Sequence, residues 1–183
     1  IINTIMNTRF TLKNFRVFDA NEGGTFQISP ITILTGCNSS GKSSLVKSLL
    51  LLKNFFNELL FNDVHNCKLD FSNSSAKLGR FDLARNKNSR KDSKMYFSYT
   101  ITPPKFKEEL CVELWFSSYN IDHLNNGWLD HFIVSTASDK KVLIDAQIPI
   151  NCAPFLCFFV FFVGNMLFFN YFCALLLINL LTS

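Results

Sequence analysis

Charge is scarce in this sequence, and it disappears after Asp145. Charged residues make up 17% of the chain, which is below the roughly 25% of an average soluble domain. With a net charge of +4, no strongly basic face can be claimed. Lysine and arginine are concentrated only between Lys77 and Lys94. We favour a solvated loop there over a loop that faces nucleic acid.

Metal-ligand spacing is also missing. The six cysteines include no C-x-x-C pair, and His65 with Cys67 is the nearest approach to a ligand pair. An incidental loop pair is favoured there over a metal site. Scattered cysteines fit a reduced, cytosolic compartment, and the first fifteen residues lack the long apolar core of a secretory signal.

One motif that is present is highly specific. Residues 36–43 read GCNSSGKS and match the phosphate-binding pattern G-x-x-x-x-G-K-[ST]. Glycines let the backbone wrap around phosphates, so that consecutive N–H groups and the positive end of a helix dipole face the anion. We expect Lys42 to contact the β- and γ-phosphates of ATP and Ser43 to coordinate Mg²⁺. The predicted nucleotide-binding residues are Gly36, Cys37, Asn38, Ser39, Ser40, Gly41, Lys42, Ser43 and Ser44.

The flanking sequence supplies the context that such a loop requires. The β-branched run at residues 31–35 predicts a strand that aims the loop. Apolar residues at helical spacing predict a helix from Gly41 or Lys42 to about Leu60. Because residues 49–52 are apolar on every side, we expect this helix to be buried between layers.

The remaining sequence predicts a β-rich layer. Strands are expected at residues 10–18 and 25–28, before the loop. Alternating patterns predict an antiparallel meander over residues 95–101, 109–116, 128–136 and 141–148. Residues 1–8 are assigned to an N-terminal extension in which Met6 is a candidate start, and residues 9–150 to one partial domain.

A family resemblance is carried by three segments, residues 10–16 (FTLKNFR), 31–36 (ITILTG) and 38–45 (NSSGKSSL). They resemble the amino-terminal portion of the SMC/RecF-like ATPases of the ABC class, including the AAA-type predicted ATPases related to OLD-family proteins. The resemblance is close over about residues 9–60 and rests on pattern alone in the later strands. Cys37 stands where proline is common, which the loop should tolerate because its backbone makes the contacts.

The resemblance implies an α/β fold: a partial P-loop NTPase head, similar to ABC ATPases, with an antiparallel β layer. The composition adds an apolar, helix-like C-terminal tail. It also implies binding of ATP with Mg²⁺ between two such heads, and DNA or a nuclease as effector. Asn14 and Arg16 would then lie near the nucleotide. Without the resemblance, they equally fit an edge-strand turn and an exposed arginine.

No catalytic residue can be assigned. An ATPase of this class needs an apolar strand that ends in Asp then Glu, and residues 142–145 (VLID) approach it, but Ala146 follows instead of glutamate. An ordinary meander strand is favoured there. His65, His123 and His131 are favoured as surface or packing residues. We therefore expect weak or no ATP hydrolysis by this chain alone.

The end of the chain, residues 151–183, is an apolar tail long enough to span a bilayer. Three interpretations are open: loss of the coding frame near residue 150, a membrane helix, or a buried terminal helix. Lysine and arginine are absent from both flanks, so the usual orientation signal is missing. Asn165, Asn170 and Asn179 would need hydrogen-bond partners in lipid.

Two functions follow from these observations. The first is an ATP-binding head of an SMC/RecF-like ATPase, truncated and cytoplasmic. The alternative is a membrane-anchored, non-catalytic nucleotide-binding protein, in which the tail is authentic and binding itself is the signal.

Overall fold

The computed structural model describes residues 8–61, 68–72, 76–90, 92–103, 108–118 and 126–148. Within these ranges the chain forms seven strands and two helices. In chain order they are β1 (Thr8–Lys13), β2 (Gly24–Ile28), α1 (Lys42–Phe61), β3 (Lys68–Asp70), α2 (Phe81–Ala84), β4 (Met95–Ile101), β5 (Leu110–Ser117), β6 (Asn126–Thr136) and β7 (Val142–Gln147).

All seven strands belong to one sheet with the order β2-β1-β4-β5-β6-β3, and β7 also pairs with β6. Every pairing is antiparallel. Strand β6 pairs with β5 along one edge, so β3 and β7 share its other edge, β3 opposite residues 126–128 and β7 opposite residues 131–135. A bulge separates the two parts of β6, because Trp115 pairs with His131 whereas Phe116 pairs with Leu129, which leaves Asp130 as an extra residue.

The expected α/β fold of a P-loop NTPase head with an apolar helical tail is therefore wrong for the described residues, which form a mostly antiparallel sheet. The physical reason lies at residues 31–35, which were predicted to form the strand that aims the loop. They form no strand and lie on the surface, with Ile31 84% and Ile33 82% exposed. A parallel sheet needs such a strand to be paired on both sides and covered by helices.

The apolar tail predicted over residues 151–183 lies outside the described residues. So do His65, Cys67 and His123. Across the ranges that the structure does describe, no helix combines the length and the apolar character needed to cross a membrane.

The predicted meander is confirmed. Strand β4 has the predicted bounds, and β5, β6 and β7 differ from the predicted bounds by one or two residues. The first strand is shorter than predicted, because Asn14 and Arg16 have left-handed φ values of 57° and 52° that end β1 at Lys13. The sequence interpretation missed β3 and α2, which are three and four residues long.

The core lies between one face of this sheet and helix α1. Alternate residues of the strands point into it, among them Phe10, Phe97 and Phe116. Phe55 of α1 meets Phe116 edge-on at 5.1 Å between ring centroids, and Phe56 meets Tyr99 at 6.1 Å. These aromatic contacts fix α1 against β4 and β5.

Helix α1 spans the predicted residues, but its burial differs from the prediction. One face is buried, with Leu45, Ser48, Leu52 and Phe55 all inside. Val46 is 40% exposed on the other side. The helix is therefore amphipathic in its packing and is not covered on all sides.

Candidate phosphate-binding loop

The loop at residues 36–43 connects an exposed segment to the start of α1. Residues 31–40 are all exposed, and α1 begins at Lys42. The loop is therefore positioned from its C-terminal side, by the packed helix, and not by a strand before it. Anchoring by a helix suits a phosphate site, because the helix N-terminus brings amide donors and a positive dipole end to the loop.

The backbone of the loop adopts conformations that favour glycine. Gly36 has a φ of 140° and Gly41 a φ of 101°, both in the left-handed half of the map. Ser39 is also left-handed, with a φ of 66°. The Ser40 N–H donates to the Cys37 carbonyl at 3.4 Å. The two fixed glycines of the motif thus stand at positions whose φ values favour glycine.

Lys42 folds back over the loop that precedes it. Its ammonium Nζ donates to the carbonyl oxygens of Gly36 at 2.8 Å and Cys37 at 2.7 Å. It also lies 3.4 Å from Ser40 Oγ. In the part of the chain that the structure describes, no carboxylate pairs with Lys42. Its positive charge is held at the loop by neutral carbonyls and is not cancelled by an anion.

The first turn of α1 favours an anion. The first N–H groups of a helix have no acceptor within the helix, and the N–H of Leu45 is the first to reach back, to Gly41 O at 2.9 Å. No acidic residue lies in that first turn. Ser43 is exposed, whereas Ser44 is buried. Of these two serines, Ser43 is therefore the one that a bound Mg²⁺ ion could reach from solvent.

The loop rests on the turn that follows β1. A methyl group built at Gly41 would lie 2.8 Å from Phe18 Cζ and 3.1 Å from Val17 Cγ2. Gly41 is therefore constrained twice, by its φ and by this close approach. Sequence analysis missed Val17 and Phe18 as supports of the loop, because nothing in their local pattern signals a contact more than twenty residues away.

The structure places Asn14 and Arg16 in the same turn, which we define as the hub turn, residues 14–18. Asn14 is fully buried, and its side-chain amide donates to the carbonyls of Ser93 at 2.9 Å and Lys94 at 3.0 Å. Arg16 is exposed, and its backbone N–H donates to the Ala84 carbonyl at 2.7 Å. The hub turn thus contacts Gly41 on one side and residues 84–94 on the other.

Asp19 lies in the connection from the hub turn to β2 and stabilises its backbone. Its carboxylate accepts hydrogen bonds from the backbone N–H groups of Asn21 at 2.7 Å and Glu22 at 2.8 Å. The bond from Glu22, followed by that from Asn21, lowers the pKa of Asp19 below its ordinary value. The Asn14 N–H donates to the Asp19 carbonyl at 2.8 Å, so this connection is tied directly to the hub turn.

Asp145, the nearest approach to a catalytic carboxylate, lies far from the loop. It is on β7, an antiparallel edge strand, as the preferred interpretation of an ordinary meander strand predicts. Four strand spacings separate β7 from β1, about 19 Å across the sheet. Asp145 Oδ1 instead lies 2.6 Å from His131 Nε2, and the His131 ring stacks on Trp115 at 4.7 Å. His131 is therefore a packing residue, as expected.

Outside the loop, the described ranges contain no candidate metal site. Among those residues, no group of three or more His, Cys, Asp or Glu side chains could hold a metal ion. A Mg²⁺ ion at the loop would rely on the Ser43 hydroxyl and on the phosphates themselves, which is how this hard cation is commonly held.

Comparison with known proteins does not place the chain in a family. No protein-family model matches it, and no curated protein matches it either.

Proposed function

We propose that this chain binds a Mg²⁺-nucleoside triphosphate, ATP by the resemblance of the motif, through residues 36–44. The observation that carries the proposal is Lys42. Its uncancelled ammonium lies over a loop with two left-handed glycines, at the start of a twenty-residue helix without an acidic first turn. The combination supports recognition of a polyphosphate.

The donor set fits the nucleotide and its metal. Backbone N–H groups of residues 41–44 would face the phosphates, Lys42 would give up its loop carbonyls to contact them, and Ser43 would hold Mg²⁺. Bound Mg²⁺ supplies charge neutralisation between the β- and γ-phosphates. The resemblance to SMC/RecF-like ATPases, and with it a second head and a DNA or nuclease effector, stays a prediction.

The proposal is for binding with little turnover by this chain alone. The nearest approach in the sequence to the carboxylate that positions an attacking water is Asp145, and it lies on β7, four strands across the sheet from β1. Positioning and electrostatics supply most of the catalysis of phosphoryl transfer, so lysine and serine without that carboxylate hold the nucleotide but cleave it slowly.

Replacement of the loop lysine tests the proposal. In calorimetry with the full chain, Lys42→Ala should weaken Mg-ATP binding about 100-fold, a loss of about 2.7 kcal/mol, because a charge-assisted contact to phosphate is removed. Gly41→Val should also abolish binding, since its side chain would collide with Phe18. The matched control is Lys53→Ala, which removes the same charge about 16 Å further along α1.

Three results would contradict the proposal. Unchanged affinity in both loop variants would rule out the loop as the site. An equal loss in Lys53→Ala would show that net charge alone attracts the nucleotide. ATP hydrolysis by the full chain that Lys42→Ala abolishes would refute binding without turnover, while leaving the binding site itself intact.

A further inference from the structure

The positive charge of this chain is concentrated in one short stretch, which we define as the basic segment, residues 77–94. It contains seven lysines and arginines and two aspartates, a net charge of +5, while the whole chain carries +4. The remaining residues are therefore slightly acidic. A local charge excess of this kind, in a chain that is otherwise close to neutral, marks a surface suited to an anionic partner.

Several cations of the basic segment are available to such a partner. Lys77, Lys87 and Arg90 are exposed and form no ion pair with any described residue. Two others are neutralised locally: Arg80 pairs with Asp82 at 2.6 Å, and Lys94 pairs with Asp130. The segment therefore presents some of its cations to solvent and uses others to fix its own shape.

The segment is anchored, unlike a loop that is merely solvated. Leu78, Phe81 and Ala84 are buried, and the Phe81 ring meets Phe71 edge-on at 5.5 Å. Asn86 is also buried, and its side-chain Oδ1 accepts from the Asn88 N–H at 3.0 Å. These contacts hold the backbone between the exposed cations in one conformation. A preformed array loses less conformational entropy when it binds.

The hub turn adds a further cation to this array. The Arg16 N–H donates to Ala84 O at 2.7 Å, and the Asn86 side-chain amide donates to Arg16 O at 2.7 Å. Arg16 is exposed and forms no ion pair within the described ranges. Its side chain therefore extends from a backbone that is bonded on both sides to the basic segment.

We propose that the basic segment, together with Arg16, binds the phosphate backbone of nucleic acid. Exposed cations interleaved with small polar residues, here Asn88 and Ser89, are the groups that contact phosphates. An acidic protein partner fits less well, because protein interfaces centre on buried aromatic residues. Leu83 is the one large apolar side chain exposed among the described residues of this segment. Binding is to the backbone and independent of base sequence, and it does not depend on the nucleotide site.

The dependence of binding on salt follows from the number of free cations. Four described cations, Arg16, Lys77, Lys87 and Arg90, are free to contact phosphates. Displacement of condensed counterions from a duplex then gives a slope of log K against log salt of about −3 to −4. Two duplexes of unrelated sequence should show the same affinity and the same slope, because backbone contacts carry no sequence information.

Fluorescence anisotropy of the full chain with a labelled 30-base-pair duplex, from 50 to 200 mM NaCl, tests this proposal. Replacing Lys87 and Arg90 together by glutamine should weaken binding about tenfold and reduce the magnitude of the slope by about 2. The control replaces Lys140 by asparagine and Lys141 by glutamine. These residues are exposed in the β6–β7 turn, at the end of β6 remote from Asp130, and the control should stay within about twofold of the parent.

The same assay can overturn the proposal. Absence of salt-dependent binding by the parent chain would refute it, and so would an equal loss in both double variants. Displacement of the duplex by polyglutamate at the same charge concentration would favour an acidic protein partner instead. The Lys42→Ala variant should bind the duplex normally without nucleotide, so failure of this proposal and failure of the nucleotide proposal are distinguishable.

Discussion

Residues 31–35 and strand β5 are alike in sequence, and only β5 is part of the sheet. Both carry apolar residues at alternate positions, Ile31 and Ile33 in the first segment and Val112, Leu114 and Phe116 in β5. In β5, Val112, Leu114 and Phe116 are buried between β4 and β6. In the other segment, Ile31 and Ile33 are almost fully exposed. Both segments thus have a composition that favours a strand, and this composition alone does not determine whether a strand forms.

The difference lies in what comes next along the chain. Strand β5 lies between sequence neighbours that fold back beside it, so both of its edges are paired at a low cost in loop entropy. Residues 31–35 are followed by a loop and a helix. A strand that is followed by a helix usually pairs in parallel with the next strand of its sheet. The described residues contain no strand in that position. A segment becomes a strand only when its partner is within reach.

The sharpest test of this comparison truncates one residue of the paired sheet, Phe97 of the neighbouring strand β4, and one of residues 31–35. Phe97 is fully buried against Phe10, Phe15 and Phe116. We expect Phe97→Ala to lower the free energy of unfolding by about 3–5 kcal/mol. Ile33→Ala should lose less than about 0.5 kcal/mol, because its side chain is already in water. Urea unfolding of both variants measures the two values.

If Phe97→Ala does not fold, Phe97→Leu retains most of the volume and should lose less than about 1.5 kcal/mol. A loss in Ile33→Ala as large as that in the Phe97 variants would show that residues 31–35 are packed, and the contrast between the two regions would disappear.

The buried amide of Asn14, in the hub turn, gives the next largest effect. Asn14→Ala should cost about 2–3 kcal/mol, because the Ser93 and Lys94 carbonyls lose their donor and alanine tolerates a φ of 57° less well than asparagine. Asn14→Gly relieves the backbone strain but not the loss of the donor, so it should recover only part of that cost. A variant as stable as the parent in thermal unfolding would show that the amide contributes nothing.

The smallest expected effect is a pH dependence of stability that arises from Asp19, which lies in the connection from the hub turn to β2. Because the folded state lowers its pKa, the stabilisation from Asp19 is fully present above its unfolded pKa, near pH 4, and disappears as the pH falls through the lower folded value. Asp19→Asn should therefore be less stable than the parent at pH 7, and the two should converge by about pH 2. Urea midpoints at pH 7, 4 and 2 measure this. A constant difference at all three values would contradict the assignment.

Local patterns predicted much of this molecule. The alternation over residues 95–101 gave β4 its correct bounds, and the glycines of the motif stand at the left-handed positions of the loop. Each of these features is set by residues within a few positions of each other, so one short window contains all the information. The start of α1 at Lys42 follows for the same reason.

The features that were missed depend on distant residues. Strand β3 forms because its three residues pair with the edge of β6. The side-chain amide of Asn14 donates to carbonyls that are about eighty residues further along the chain. The contact of Val17 and Phe18 with Gly41 is equally non-local. Residues 31–35 are the converse case, in which the local pattern is typical of a strand and no partner strand is found among the described residues.

The extra residue in β6 has a consequence for how this gene can vary. Asp130 lets Leu129 and Phe132 both face the core although they are three positions apart, and it separates the stretch that pairs with β3 from the stretch that pairs with β7. Because side chains alternate with a period of two, deletion of that single codon would place Leu129 and Phe132 two positions apart, so the bulge would disappear while both parts of the strand kept their facing. Deletion of one codon inside either regular part of β6 would instead reverse the facing of the residues beyond it.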